Sequence, residues 1–244
     1  LDKKYNCEQS NLELFNNTHQ QGILSHPYLR LKQVTLKDEF SNVLIENITG
    51  RVQLSALTII KVDGSSLVTS MRKLFKEMRL DKLLKNYYLD GEFVLSSNKL
   101  GADFLEILPQ HNPWEITITS TSLVDSFSQK YANEINELIK KYKLNQYIDS
   151  GKDNISISSI SSKQANKMRA IICLLFHIVE PSAISVAPFT LDIFDENERS
   201  LLIEFLSIEL KKKSVVLILF TRHKPHQDYA DKYYEISREQ LLKI

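Results

Sequence analysis

The stretch "LTIIKVDGSSLVTSMRKLF", residues 57–75, decides how the chain is read. Leu57 to Val62 is an apolar, partly β-branched run of strand length, and Asp63 to Ser66 is a turn. From Leu67 the apolar positions are Leu67, Val68, Met71, Leu74, Phe75 and Met78, a spacing of three and four that a helix satisfies. A strand, a turn containing glycine and a helix N-terminus form the layout of a phosphate-binding loop, because the backbone N–H groups at the helix start cradle an anion. Where such a loop carries its lysine, this chain has Leu67.

Upstream of this stretch, "YLRLKQVTL" at 28–36 and "NVLIENITGRVQLSALTIIKV" from 42 have strand-like spacing broken by Gly50, which predicts antiparallel strands. Downstream, "DGEFVLS" at 90–96 and "FLEILPQ" at 104–110 read as two more strands, the second ending at Pro109. After Trp114 the pattern turns helical. One stripe is Tyr131, Ile135, Leu138, Ile139 and Tyr142; another is Met168, Ile171, Ile172, Leu175, Phe176 and Val179, with a polar loop at 149–161 between them. Past Pro181 a strand "AISVAP" at 183–188, a helix at 196–212 and a strand "SVVLILFT" at 214–221 form a βαβ unit, hence a parallel sheet covered on both faces. The expected architecture is α/β, with an antiparallel β subdomain, a parallel core sheet and an inserted helical subdomain at about 113–180. Residues 1–27 read as a linker or N-terminal arm, with a short helix near Leu12 to Phe15, and 28–244 as the domain.

The bulk numbers exclude several classes. Lys plus Arg number 31 against 30 Asp plus Glu, so no broad positive field steers nucleic acid or an anionic membrane surface to the chain. The longest apolar run, "AIICLLF" at 170–176, falls far short of the roughly 18 residues that a bilayer span needs. Cys7 and Cys173 are too few and too far apart for a disulfide framework, and a reducing compartment follows; the sequons at Asn16, Asn47 and Asn154 are then chance matches. Leu1 is not an initiator methionine and no secretory pattern follows it, so the chain reads as a piece of something longer.

Other candidate clusters have plainer readings. His223, His226, Asp228 and Asp231 carry ligand-type chemistry but read as a surface loop, with no second cluster to face them. Tyr233 and Tyr234 read as edge packing in a strand rather than a base-stacking platform. "KKK" at 211–213 complements a helix C-terminus, Cys173 and His177 sit on a core helix face, and no G-x-S-x-G motif supports Ser/His/Asp chemistry.

In order, these landmarks resemble the nucleotide-binding domain of ABC transporters, over about residues 28–240. "IIKVDGSSLVTSMRKL" matches the place and length of the Walker A loop, and "LPQHNPW" at 108–114 the strand ending in a glutamine, here Gln110. "ISSKQANKMRAIICLL" at 160–175 aligns without a gap on the signature motif and its helix. "AISVAPFTLDIFDENERSLLIEFL" has the shape of the Walker B strand and following helix. "VVLILFT" and "YADKYYEI" resemble the strand before the switch histidine and the alanine-aspartate pair, Ala230 and Asp231. The run from "DGEFVLS" through "LPQHNPWEITITSTSL" most resembles exporter-type cassettes. The resemblance implies ATP and magnesium as cofactors, a second nucleotide-binding domain as homo- or heterodimer partner, a transmembrane domain of the same or another chain, and a place on the cytoplasmic face of a membrane.

The positions that carry the family's chemistry are replaced. The first glycine of the loop corresponds to Lys61, the third to Ser66, the lysine to Leu67 and the magnesium hydroxyl to Val68; Asp63, Gly64, Ser65 and Thr69 stay as its polar remainder. Losing the lysine removes charge-assisted hydrogen bonds worth roughly 1.5–3 kcal/mol each, and replacing glycines adds Cβ atoms where the backbone should close on phosphates. The Walker B strand ends Val186-Ala187-Pro188 without an acid, and Asp192 and Asp195 come too late for it but can belong to the loop that follows. The signature keeps Ser161 and Gln164 but loses both glycines; the switch position is Arg222, with His223 one residue further on. These residues imply a degenerate cassette, a structural and dimerising module with weak or no hydrolysis. Two alternatives stand beside it: a working cassette that uses Lys61 and Thr69 with a partner, and a repurposed soluble interaction protein.

Overall fold

The computed structural model describes residues 28–38, 40–76, 87–97, 100–103, 116, 122–147, 161–181, 184–224 and 232–243. Strands β1 (Tyr28–Asp38), β2 (Val43–Gln53), β4 (Tyr87–Ser97) and β5 (Leu100–Asp103) form an antiparallel sheet in the order β2-β1-β4-β5. Along β1 the buried residues are Leu29, Leu31, Val34 and Leu36, so the two-residue alternation slips by one between Leu31 and Val34. A bulge causes the slip, with Gln33 at φ 52° and a register shift toward both neighbouring strands. Side-chain hydroxyls satisfy the donors that the bulge takes out of the ladder: Gln33 N–H donates to Thr49 Oγ1 and Asn47 N–H to Thr35 Oγ1, each at 3.0 Å. Opposite the bulge, Gly91 adopts φ 92°, and a Cβ there would lie 2.4 Å from the Gln33 carbonyl oxygen, so only glycine fits.

The second sheet runs β6-β7-β3-β8-β9, from β6 (Ile184–Pro188), β7 (Val216–Thr221), β3 (Leu57–Val62), β8 (Lys232–Ile236) and β9 (Leu241–Lys243). Its first four strands are parallel and β9 pairs antiparallel to β8. The 57–62 run is apolar on both faces because it is covered on both. Leu57 and Ile59 join one core cluster with α2 (Ala132–Tyr142), α3 (Ser162–Val179) and α4 (Glu196–Lys213). Ile60 and Val62 join another with the antiparallel sheet and α1 (Ser65–Lys76).

Both predicted helical stripes form. Ile135 and Leu138 are the buried face of α2, and α3 buries Met168, Ile171, Ile172 and Leu175. These residues lie in the same core cluster as Ala187, Leu217 and Leu219 of the parallel sheet. The strand expected at 104–110, the polar loop at 149–161 except Ser161, and the arm at 1–27 lie outside the described residues. The lysines 211–213 occupy the last turn of α4, which ends at Ser214 in the left-handed region, and Cys173 and His177 are buried on α3. Tyr233 and Tyr234 are a correction: β8 lies between β3 and β9, both rings are buried, and the Tyr234 hydroxyl accepts from Gln53 N–H at 2.8 Å.

Glu209 on α4 ties the helical layer together. Its Oε1 accepts from Tyr142 Oη at 2.5 Å, Lys212 Nζ at 2.7 Å and Lys141 Nζ at 2.9 Å. Burial favours the protonated acid, but the bonds from Lys212, Tyr142 and Lys141 outweigh it and hold the carboxyl at about 2. A carboxyl with a depressed folded pKa stabilises above its unfolded pKa, and that contribution is lost as pH falls toward the folded value. Glu209 is therefore expected to remove about 2 kcal/mol of stability between pH 6 and pH 3. Urea unfolding of wild type and Glu209→Gln at the two pH values checks this: the variant should lose less on acidification.

Candidate functional site

At the C-terminal end of β3 the chain turns into α1 through Asp63 and Gly64 alone. Lys61 and Val62, which correspond to the first two positions of a phosphate loop, continue the ladder, paired with Glu235 and Ile236 of β8. Asp63 N–H donates to the Ile236 carbonyl at 2.8 Å, and Val68 N–H to that of Gly64 at 3.0 Å. The backbone makes no wide loop round an anion; it makes the shortest turn that joins strand to helix, with Gly64 at φ 91°.

Side chains follow from that path. Leu67 and Val68 point into the core, 4% and 7% exposed, on the same face of α1 as Met71. Asp63, Gly64, Ser65, Ser66 and Thr69 are exposed, and the Thr69 hydroxyl donates to the Ser65 carbonyl at 2.9 Å. Lys61 Nζ lies 3.2 Å from Glu235 and 3.6 Å from Asp63. Burial alone would lower its pKa; the Glu235 and Asp63 carboxylates reverse this and raise it, so Lys61 is a cation already held by neighbouring acids. A cleft of about 500 Å³ opens beside this turn, lined by Val43, Leu44, Asp63, Gly64, Ser66, the edge of Leu67 and the turn 237–240.

A second cluster forms at the ends of β6 and β7. After Pro188, Phe189 adopts φ 50° and the chain curls through a turn that buries Phe189, Leu191 and Phe194. This turn, the loop that follows the β6 strand, carries Asp192 back to the end of β7. Its carboxylate, 2% exposed, accepts from Thr221 Oγ1 and Arg72 Nη2, both at 2.8 Å, and from Arg222 N–H at 3.3 Å, with Arg222 Nε 3.2 Å away. His223 stands next to this group, and its backbone N–H donates to Thr221 Oγ1 at 3.1 Å. Burial lowers the His223 pKa, and Arg199, Arg222 and Arg72 push the same way against Asp192. Arg72 and Arg199 carry no motif; Arg72 is held by Asp192 and Arg199 donates to the Phe194 carbonyl.

Ser161 and Gln164, at the signature position, form a capping box at the start of α3. Ser161 Oγ accepts from Gln164 N–H at 3.2 Å, and Gln164 Oε1 from Ser161 N–H at 3.1 Å. Gln110, His226, Asp228 and Asp231 lie outside the described residues. The structure thus brings Lys61, Asp63 and Gly64 together, and His223 with Asp192, Arg72 and Arg222.

These residues do not fit magnesium-ATP. The phosphate-loop lysine and magnesium hydroxyl positions are buried hydrocarbon, among the described residues only Asp63 and Gly64 join β3 to α1, and the carboxylate at the ends of β6 and β7 is already held by two guanidinium groups. Among the described residues, no helix is long and apolar enough to cross a membrane.

No family model matches the chain, and no curated protein sequence does. Its structure is similar to the dimeric structure of MJ0796, a bacterial ABC transporter cassette, with a TM-score of 0.55 at 11% identity, covering 88% of this chain and 98% of that one. At that identity the likeness is one of architecture: the chain has an ABC cassette fold.

Proposed function

We propose that the chain is a degenerate cassette domain that works by docking, as a structural and dimerising module with weak or no ATP hydrolysis. The observation that carries this reading is the two-residue passage from β3 to α1, with Lys61 and Val62 in the ladder and Leu67 and Val68 in the core. A phosphate needs several converging N–H groups and a mobile cation; here the strand takes the first positions and hydrophobic packing the last. On this reading residues 28–244 are the domain and 113–180 its helical insert. Its partners are a second nucleotide-binding domain and a transmembrane domain at the cytoplasmic face of a membrane. On this reading it is a cassette similar to the exporter type. MJ0796 is described as dimeric, which supports a second cassette as partner.

Titration calorimetry and phosphate-release assays on the purified chain test the reading. The expected result is no magnesium-ATP binding tighter than a Kd of about 10 μM, roughly −7 kcal/mol, and no turnover. Tighter binding together with magnesium-dependent turnover would overturn it.

A further inference from the structure

The dipeptide Asp-Gly occurs twice in the chain, at Asp63–Gly64 and at Asp90–Gly91. In such a pair the glycine nitrogen is one small ring closure away from the aspartate side-chain carboxyl, and glycine has no Cβ to keep the two apart. The two copies sit in opposite surroundings. At 90–91 the pair is held in β4, where Asp90 faces Thr35 of β1 and a Cβ on Gly91 would lie 2.4 Å from the Gln33 carbonyl oxygen. The backbone of β1 presses on that glycine, so a ring closes there only if the strands part.

At 63–64 the pair is the whole passage from β3 to α1, and residues 63–66 are all exposed. The Asp63 side chain is 58% exposed with Lys61 Nζ 3.6 Å away, and a Cβ placed on Gly64 would meet nothing within 4 Å. The carboxyl therefore has room to swing over the glycine nitrogen. Among the described residues the Gly64 N–H has no backbone acceptor. Gly64 also directly precedes α1, and the positive end of the helix makes loss of that amide proton easier.

We infer that Asp63–Gly64 is a site of spontaneous covalent modification, at which Asp63 passes through a cyclic imide to isoaspartate. The protonated Asp63 carboxyl loses its hydroxyl as water together with the Gly64 amide proton, and an N–C bond forms between the Gly64 nitrogen and the side-chain carboxyl carbon. Water then adds to one of the two imide carbonyls and breaks its N–C bond. Opening at the side-chain carbonyl restores aspartate; opening at the main-chain carbonyl leaves the main chain running through the side-chain methylene. Only water is exchanged, and no group is oxidised or reduced. Isoaspartate thus adds a methylene to a turn held at both ends, by Asp63 N–H on the Ile236 carbonyl and Val68 N–H on that of Gly64. The start of α1 must shift to take up the extra atom.

The test ages the full chain in neutral buffer made with heavy-oxygen water, folded and in urea. Each passage through the imide puts one heavy oxygen into the aspartate or isoaspartate that results, and peptide mapping by mass spectrometry reads the label at 63–64 and at 90–91. In the folded chain the 63–64 peptide is expected to gain label and isoaspartate several times faster than the 90–91 peptide, and in urea the two rates are expected to converge. Asp63→Glu should abolish labelling at its position, because its ring would be one atom larger and closes far more slowly. Equal rates in the folded chain, or no label at 63–64, overturn the site. The same ratio of rates in urea as in the folded chain also overturns it, since neighbouring sequence rather than the fold would then set the difference. If Asp63→Glu does not fold, the folded and urea rates of the unmodified chain decide.

Discussion

Asp192→Ala is expected to lower the melting temperature by roughly 6–12 °C, the shift that about 3 kcal/mol produces in a domain of this size. Removing the carboxylate leaves two guanidinium groups and the Thr221 hydroxyl at the ends of β6 and β7 without the acceptor that all three groups share. Breaking a buried pair by deleting one member leaves the other charge uncompensated, which costs more than the pair itself contributes. The figure stays at the low end because both arginines are partly solvated. The comparison that checks the account is Arg222→Gln, which removes the half-exposed partner of Asp192 and is expected to cost under about 1 kcal/mol. Calorimetric melts of the two variants should differ severalfold in effect. Equal losses would mean that Asp192 acts as one more surface ion pair.

Leu67→Lys, which restores the lysine of a phosphate loop, is expected to destabilise the chain by about 4 kcal/mol and to confer no ATP turnover. Leu67 packs in the core with Val68 and Met71. An ammonium placed there must give up its proton at pH 7, some three units below its normal pKa, or drag water inward. The melting temperature should fall by roughly 8–16 °C. Turnover should not appear, because β3 still runs in register through Val62 and the turn still has two residues. A variant that melts within about 2 °C of wild type and binds magnesium-ATP more tightly than about 10 μM would show that the side chain escapes into the neighbouring cleft. The turn would then be a phosphate loop in waiting.

The two predictions differ in how much of their basis was visible in the sequence. Leu67 was, because its replacement of a lysine and its place in the 67, 68, 71 stripe are both local patterns. The stripe read as a helix face, and that same face is what buries the residue. Asp192 was not. Its separation of four residues from Pro188 put it past the strand end, and only the left-handed Phe189 and the turn after it bring the carboxylate back to Thr221. Ser161 and Gln164 lie between these cases. Their spacing of three is equally that of a signature remnant and of a capping box, and in the structure their side chains are used on the N-terminus of α3.

What the sequence determined by itself is the set of elements that follow from hydrophobic period: strands near 28–36, from 42, at 57–62, 183–188 and 214–221, and helices over the stripes from Leu67, Tyr131 and Met168 and at 196–212; α1 itself begins at Ser65, two residues inside the expected turn. Each is a local consequence of which side chains must leave water. Tertiary structure alone decided which strands are neighbours, with β7 and β8 flanking β3, and therefore where charges meet. Lys61 is neutralised by Glu235 and Arg72 by Asp192, partners 174 and 120 positions away. Electrostatic environment depends on distance through space, and no periodicity along the chain encodes it.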